Sequence, residues 1–269
     1  MDLLKAIIIA IVEGLTEYLP VSSTAHMIFT GAIFGIQEDN FVKMFQISIQ
    51  FGAILAVVFL YHKKFFDFKN LKFYLKLIAA VIPALVLGLL FNDRIEKVLE
   101  KPIPIAYVLI LGGIILLFID KIFKNPKIED EKEISFKTAI IIGFWQCLAM
   151  MPGTSRSAAS IIGGMQQKLT RKAAAEFSFF LAVPTMLAAT AYSVFLKDWQ
   201  HNGIKQKGYE LLLQGNNLML FLAGNIVAFV VAVIAIKFFI GVLMKYGFKP
   251  WGWYRILVGI VLLIYFRFR

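Results

Sequence analysis

Apolar stretches separated by short polar links constrain this chain more than any other feature. They lie at residues 3–19, 22–36, 42–61, 72–92, 103–119, 137–151, 155–167, 173–196, 216–245 and 252–266. Crossing a bilayer takes a helix of roughly 17–25 residues. The stretches that begin near residues 42, 72, 103, 173, 216 and 252 can each cross, although those near 103 and 252 need their flanking residues.

Composition supports a membrane setting. Hydrophobic residues make up 59% of the 269 residues and charged residues only 17%, which leaves too little polar surface to cover a water-soluble globule. This excludes a disordered chain, a nucleic-acid-binding arm and an ordinary soluble enzyme. The net charge of +11 comes from Lys and Arg that lie almost entirely between the apolar stretches, where they orient a membrane protein.

The four remaining apolar stretches are too short or too polar to cross alone. A proline turn joins them into two pairs, at residues 19–22 and 151–154. Proline cannot continue a helix, and a following Ser or Thr can cap a new one. We interpret each pair as a re-entrant helix–turn–helix that enters and leaves the membrane on the same side. Such backbone persists at membrane depth only inside protein or beside a water-filled cavity.

The two halves of the chain match at nearly constant offsets. A shift of 132 residues places Ser23 on Ser155, and a later shift of 147 places Tyr107 on Tyr254. Each half then holds one re-entrant pair and three crossings, so the second half is inverted relative to the first. We expect an all-α integral membrane protein with six transmembrane helices and two re-entrant helix–turn–helix pairs in an inverted repeat. It forms a single membrane domain, residues 1–269, with repeats at approximately 1–120 and 135–269.

The distribution of positive charge predicts the orientation. The loops at 62–76, 120–137, 168–172 and 237–255 hold 17 Lys and Arg, and the opposite side holds 10. The positive-inside rule places the 17 in the cytoplasm and both termini outside. The first re-entrant pair then opens outward, and we expect an active site that faces the outer side of the membrane.

Two carboxylates lie inside the first apolar stretch. Glu13 and Glu17 are four residues apart and share one face of a helix. In lipid they need a cation, a proton or an arginine to compensate them. One interpretation is a structural pair bound to Ser or Arg across the bundle. The other is an acid/base pair or a divalent-cation site, because hard cations such as Mg²⁺ bind one or two carboxylates plus substrate phosphates.

Three hydroxyls and a histidine follow the first turn. Ser22, Ser23 and Thr24 open the second re-entrant helix, and a helix N-terminus favours an anion. His26 can face the same cavity as Ser23 and activate it as a nucleophile, or can itself act as base or nucleophile. The alternative is an N-cap run with a hydrogen-bonded histidine.

The second turn, residues 152–157 (PGTSRS), offers groups that suit phosphate. Gly153 allows the tight turn of an anion-cradling loop, and Arg156 offers a planar fork of donors. Alternatively Arg156 neutralises one of the two acids, and both roles can hold in turn. The candidate substrate-binding residues are Ser22, Thr24, Gln50, Gly153, Thr154, Ser155 and Ser157.

Other polar and aromatic residues carry less information. Gln50, inside a crossing, either hydrogen-bonds a re-entrant turn or has a purely structural role. Trp251, Trp253 and Tyr254 are interpreted as an aromatic belt at the membrane interface.

These motifs resemble a known family. Residues 13–26 (EGLTEYLPVSSTAH) closely resemble the N-terminal signature of undecaprenyl-diphosphate phosphatases, also called bacitracin-resistance proteins, and residues 152–157 resemble their second signature. The resemblance covers essentially the whole chain, including residues 176–179 (EFSF). Ala25 stands where the family usually has Gly, and Ala158 and Ser160 stand where Gly and Thr are common; these changes remove no reactive group.

The resemblance implies an activity and a set of residues. The reaction is hydrolysis of undecaprenyl diphosphate to the monophosphate in the bacterial cell membrane, which recycles the lipid carrier for peptidoglycan synthesis and gives bacitracin resistance. It also implies a divalent cation, Mg²⁺ or Ca²⁺. We expect Glu13 and Glu17 to be its ligands or to position water. The catalytic residues are Glu13, Glu17, Ser23, His26 and Arg156.

Several alternatives stay open at this stage. The nucleophile is Ser23, His26 or water. A transporter or flippase that moves a lipid phosphate without cleaving it also fits an inverted repeat with broken helices. The acids and the histidine favour the enzyme, because binding alone does not require them. The expected partners are a prenyl diphosphate lipid and the bilayer, with no nucleic acid, and homodimer formation is left open.

Overall fold

The chain is mostly helical. The computed structural model describes residues 1–99, 102–201 and 204–268. The helices are α1 (Leu3–Thr16), α2 (Ser23–Ile33), α3 (Asn40–Ser48), α4 (Gln50–Leu60), α5 (His62–Phe65), α6 (Leu71–Leu99), α7 (Pro102–Ile122), α8 (Phe136–Cys147), α9 (Arg156–Gln166), α10 (Arg171–Ala191), α11 (Gly208–Leu212), α12 (Asn217–Tyr246) and α13 (Lys249–Arg267). Short 3₁₀ turns lie at Glu131–Glu133 and Leu148–Met150, and a π-helical turn at Tyr192–Leu196.

Several helical stretches of the described chain are long and apolar enough to cross a membrane. They are Asn40–Leu60, Leu71–Phe91, Pro102–Ile122, Arg171–Leu196 and Asn217–Tyr246, which coincide with five of the predicted crossings. Large apolar side chains remain exposed on them, for example Phe59, Leu89 and Ile234, as expected of a surface that meets lipid. The chain is therefore a multi-pass membrane protein. The remaining predicted crossing corresponds to α13, which carries the fully buried Arg255 within it.

Each predicted pair of short helices forms a helical hairpin, in which α1 packs on α2 and α8 packs on α9. Ser22 caps α2 and Ser155 caps α9, each accepting a hydrogen bond from the backbone N–H three residues on. Both serines have positive φ, 70° and 73°, a conformation that non-glycine residues seldom adopt. The two helices therefore begin with the same sharp turn.

The matching caps correct the register of the repeat at this point. The sequence comparison aligned Ser23 with Ser155, but the cap geometry aligns Ser22 with Ser155. The first helical residues, Ser23 and Arg156, are then equivalent. The comparison was wrong by one residue because the backbone conformation of the turn, rather than residue identity, determines where each helix starts.

The hairpins pack against long helices from the opposite half of the chain. The helix α1 lies along α12, and α8 lies along α6, while α7 and α13 pack on each other. Small residues allow these close approaches. A Cβ added to Gly14 in α1 would lie 2.8 Å from the carbonyl oxygen of Ala228 in α12, and one added to Gly143 in α8 would overlap the carbonyl of Ala80 in α6.

Two local features were not predicted. The crossing Asn40–Leu60 breaks at Ile49 between α3 and α4, and the side chain of Asn225 accepts the backbone N–H of Gly52 at 2.7 Å beside the break. The loop after residue 196 contains an antiparallel hairpin of β1 (Asp198–His201) and β2 (Ile204–Lys207). The apolar pattern of the sequence signals neither feature. The break at Ile49 depends on Asn225 in the distant helix α12, and the strands of the hairpin are largely polar.

Candidate active site

The turns of the two hairpins meet, as the sequence predicts for a site between repeats. The hydroxyls of Ser155 and Ser157 point to the carbonyl oxygen of Leu19 in the first turn, at 3.4 Å and 2.8 Å. Ser157 is fully buried. In this structure the two hydroxyls join the turns, and their role in binding substrate stays a prediction.

Arg156 from the second hairpin contacts Glu17 from the first. Its Nη2 donates to Glu17 Oε1 at 3.0 Å, with 12% and 6% of the two side chains exposed. The other oxygen of the same carboxylate, Oε2, accepts the hydroxyl of Ser23 at 2.5 Å. A carboxylate thus links a hydroxyl and a guanidinium in a site that excludes most water, where their interactions are stronger than in bulk water.

Further groups fix the guanidinium of Arg156. Its Nη1 donates to the carbonyl oxygen of Ser178 at 2.8 Å, and its central carbon lies 5.6 Å from the centre of the Tyr18 ring. Tyr18 is held in turn by its hydroxyl, which donates to the carbonyl of Ala53 at 3.0 Å. The Nε of Arg156 is buried and has no partner among the described residues. Neutralisation of an acid, one of the two predicted roles, therefore holds here while one donor stays free for an anion.

Glu13 is the least compensated group of the site. It is fully buried, and neither carboxylate oxygen has a hydrogen-bond partner within the described parts of the chain. A buried ionised carboxylate is costly unless something pairs with it. Among the described residues, no group of three or more His, Cys, Asp or Glu side chains could hold a metal ion. A divalent cation held by Glu13 and Glu17 would need its remaining ligands from water and substrate phosphate.

His26 has partners other than Ser23. Its Nδ1 lies 2.8 Å from the carbonyl oxygen of Ser22, so Nδ1 carries the proton and donates. Its Nε2 lies 2.8 Å from the hydroxyl of Tyr254, which donates to it, and the two rings stack with 8° between their planes. The expectation that His26 activates Ser23 is thus corrected, because Tyr254 holds the available ring nitrogen and Glu17 takes the Ser23 hydroxyl.

The other candidate binding residues lie at the helix starts or beside them. Thr24 and Thr154 are partly buried near the two caps, and Gly153 has φ of +91°. A Cβ at Gly153 would lie 2.7 Å from the carbonyl of Ile105, so the close approach of α7 also requires glycine. Among the described residues, no hydrogen bond joins Gln50 to either turn, and its role in binding substrate stays a prediction.

Sequence reasoning missed four contributors to the site: Tyr18, Ser178, Tyr254 and Arg255. Tyr254, which the sequence assigned to an aromatic belt, contacts His26, and Trp251 of the same group is only 7% exposed. Arg255 was counted with a cytoplasmic loop but is 1% exposed between the two turns. An ionisable residue inside an apolar stretch is by default a functional pointer, and this signal was available for Arg255.

Comparison with known proteins agrees with these motifs. The bacitracin resistance protein BacA family matches residues 6–261. The undecaprenyl-diphosphatase of Flavobacterium psychrophilum is 53% identical over 264 residues, covering 98% of this chain and 96% of that protein. The undecaprenyl-diphosphatase of Bdellovibrio bacteriovorus is 44% identical over 266 residues, with the same shares covered. The chain therefore belongs to the bacitracin resistance protein BacA family.

Proposed function

We propose that this chain is a membrane phosphatase that hydrolyses undecaprenyl diphosphate to undecaprenyl phosphate and inorganic phosphate. The observation that carries the proposal is the chain of contacts from the Ser23 hydroxyl through Glu17 to Arg156. It combines a nucleophile, a base and a phosphate-binding cation. Relatives that share about half of its residues are named undecaprenyl-diphosphatase. The product re-enters peptidoglycan synthesis as lipid carrier, and more enzyme gives bacitracin resistance.

The membrane arrangement is part of this proposal. α13 serves as the sixth crossing, and the hairpins α1–α2 and α8–α9 are re-entrant, which makes an inverted repeat of about 1–120 and 135–269. Two observations support it: the α1–α12 contact has a counterpart in α8–α6, and both hairpins begin their second helix with the same cap. The charge distribution favours a site open to the outer side, although Arg255 no longer belongs among the loop charges.

In this proposal, Ser23 carries out the first step. Its Oγ attacks the terminal phosphorus while Glu17 takes the hydroxyl proton, and the bond to the oxygen of the prenyl monophosphate breaks. The guanidinium of Arg156 and the free N–H groups at the two helix starts bind the phosphoryl oxygens as charge moves to the leaving group.

The second step returns the enzyme to its starting state. Water attacks the phosphoserine, and Glu17 gives its proton back to Ser23 Oγ as the phosphorus–oxygen bond breaks and inorganic phosphate leaves. His26 Nε2 accepts a proton of the attacking water in place of the Tyr254 hydrogen bond. It then releases this proton to solvent, which restores the neutral imidazole. The apolar crossings hold the prenyl tail.

A divalent cation completes the site. Glu13 and Glu17 would hold it, and it would neutralise phosphate oxygens of the substrate. The unpartnered oxygens of Glu13 support this assignment.

Glu13→Gln is expected to shift the Mg²⁺ concentration needed for half-maximal phosphate release upward by about 10-fold or more, because one ligand loses its charge. The folded protein should be no less heat-stable, since a neutral amide is easier to bury. Titration of Mg²⁺ against phosphate release measures the first effect and thermal unfolding the second. Glu38→Gln, at a side chain that is 82% exposed, is the matched control. An unchanged Mg²⁺ requirement in Glu13→Gln would contradict the metal assignment.

A detergent assay separates the phosphatase from a flippase. The purified protein, with no bilayer to cross, is expected to release inorganic phosphate from a C55 prenyl diphosphate, and a chelator should stop it. Movement of the intact lipid across vesicles without any phosphate release would instead support the transporter.

A further inference from the structure

Arg255 joins the two hairpin turns directly. It lies in α13 and is 1% exposed. Its Nη1 donates to the carbonyl of Pro20 in the first turn at 3.0 Å and to that of Thr154 in the second at 2.9 Å, and its Nη2 donates to Gly153 at 2.7 Å. With the two helix caps as reference, Pro20 and Gly153 are equivalent positions. One guanidinium therefore bridges equivalent carbonyls of both turns.

The same guanidinium is anchored on α7. Its Nε donates to the carbonyl of Leu109 at 3.3 Å and its Nη2 to that of Val108 at 3.4 Å. This approach to a helix backbone is open because Gly112 has no side chain, and a Cβ there would overlap Nη2 of Arg255. Arg255 therefore ties both turns to α7, a helix that belongs to neither hairpin.

All donors of Arg255 are engaged. A guanidinium carries five N–H groups, one on Nε and two on each terminal nitrogen. Each of the five donates to a different backbone carbonyl, those of Pro20, Val108, Leu109, Gly153 and Thr154. No donor is left for a substrate. In this respect Arg255 differs from Arg156, whose Nε has no partner in the part of the chain that the structure describes.

We propose that Arg255 is a positioning residue, which fixes the spacing of the two turns so that Arg156 reaches Glu17, the carboxylate that accepts the Ser23 hydroxyl. The spacing stands on geometry alone, and its consequence for turnover rests on the proposed phosphatase function. A displacement of about 1 Å in a catalytic group can cost about 100-fold in rate. Lysine at this position offers three donors in place of five and restores part of the bridge.

The test compares Arg255→Lys and Arg255→Met as purified, folded proteins. Arg255→Met is expected to lower kcat about 100-fold while KM stays within about twofold of the wild-type value. Arg255→Lys is expected to have a kcat about 10-fold higher than Arg255→Met. The protein is labelled with ¹⁵N-arginine and ¹³C-glutamate and placed in lipid bilayers. The dipolar dephasing from the Arg156–Glu17 contact should weaken in Arg255→Met and partly return in Arg255→Lys. Arg267→Met removes an exposed arginine from the same helix and should change neither readout.

Gly112→Ala provides a second route if Arg255→Met fails to fold. It keeps the arginine but forces the guanidinium away from α7, and it should lower kcat and the same dephasing. Gly241→Ala, where an added Cβ meets open space, is the control. A folded Arg255→Met or Gly112→Ala protein with wild-type kcat and wild-type dephasing would overturn the proposal. Absence of phosphate release in the wild type would instead count against the proposed function, and the dephasing comparison would still test Arg255.

Discussion

Replacement of Arg156 by alanine is expected to lower phosphate release by about 10³-fold or more, the effect typical of an arginine that neutralises a phosphoryl group in its transition state. The variant loses the free Nε donor and the contact with Glu17 together. Glu17 is then left buried without its cation, which costs about 3–5 kcal/mol of folding stability. Activity must therefore be measured per folded molecule, by phosphate release from protein that elutes as a single species in detergent.

Arg171→Ala is the matched control for Arg156→Ala. Arg171 also pairs with an acid, its Nε lying 2.6 Å from Oδ1 of Asp120, but its side chain is 40% exposed. A pair this exposed contributes only about 0–1 kcal/mol, and it lies outside the site, so activity should stay within about twofold of wild type. Near-normal turnover in folded Arg156→Ala would remove the basis for the site as described.

Replacement of Ser23 by alanine is expected to lower phosphate release by about 10⁴-fold or more, as loss of a nucleophile does in other hydrolases. Folding should change little, because the lost hydroxyl leaves Glu17 with its Arg156 contact. Brief incubation of the wild type with a prenyl diphosphate labelled with ³²P on the terminal phosphate, followed by acid quench, should leave label on Ser23. The alanine variant should carry none.

The control for Ser23 lies on the same helix. Thr30→Ala removes a hydroxyl that donates to the carbonyl of His26 at 2.8 Å, and activity should stay within about twofold. Ser23→Ala protein that turns over at a tenth of the wild-type rate or faster would show that Ser23 is not the nucleophile. The assignment would then pass to water, with Glu17 as its base.

The sequence was sufficient to predict the architecture that forms the site. Proline turns inside apolar stretches predicted the two hairpins, because proline interrupts a helix and a following serine caps the next one. The contact of Arg156 with Glu17 was also predictable, because charges at membrane depth are few and must compensate one another.

Side-chain partners were less predictable, because they depend on which helix lies beside each turn. His26 and Ser23 are three residues apart in sequence, yet α13 brings Tyr254 to the imidazole and the C-terminal end of α1 brings Glu17 to the hydroxyl. Arg255 could be identified as intramembrane, but its five carbonyl partners come from three separate segments of backbone. A pattern of residue types carries no information about such convergence.

The contact between the two hairpins is tested most directly by the ¹⁵N–¹³C distance between the guanidinium of Arg156 and the carboxylate of Glu17 in lipid bilayers. With arginine and glutamate labelled, the structure predicts a dipolar dephasing component consistent with the 3.0 Å contact between Nη2 and Oε1, and Arg156→Lys should remove that component. Identical dephasing in wild type and Arg156→Lys would mean that the two side chains are apart, and it would contradict a site built from both hairpins.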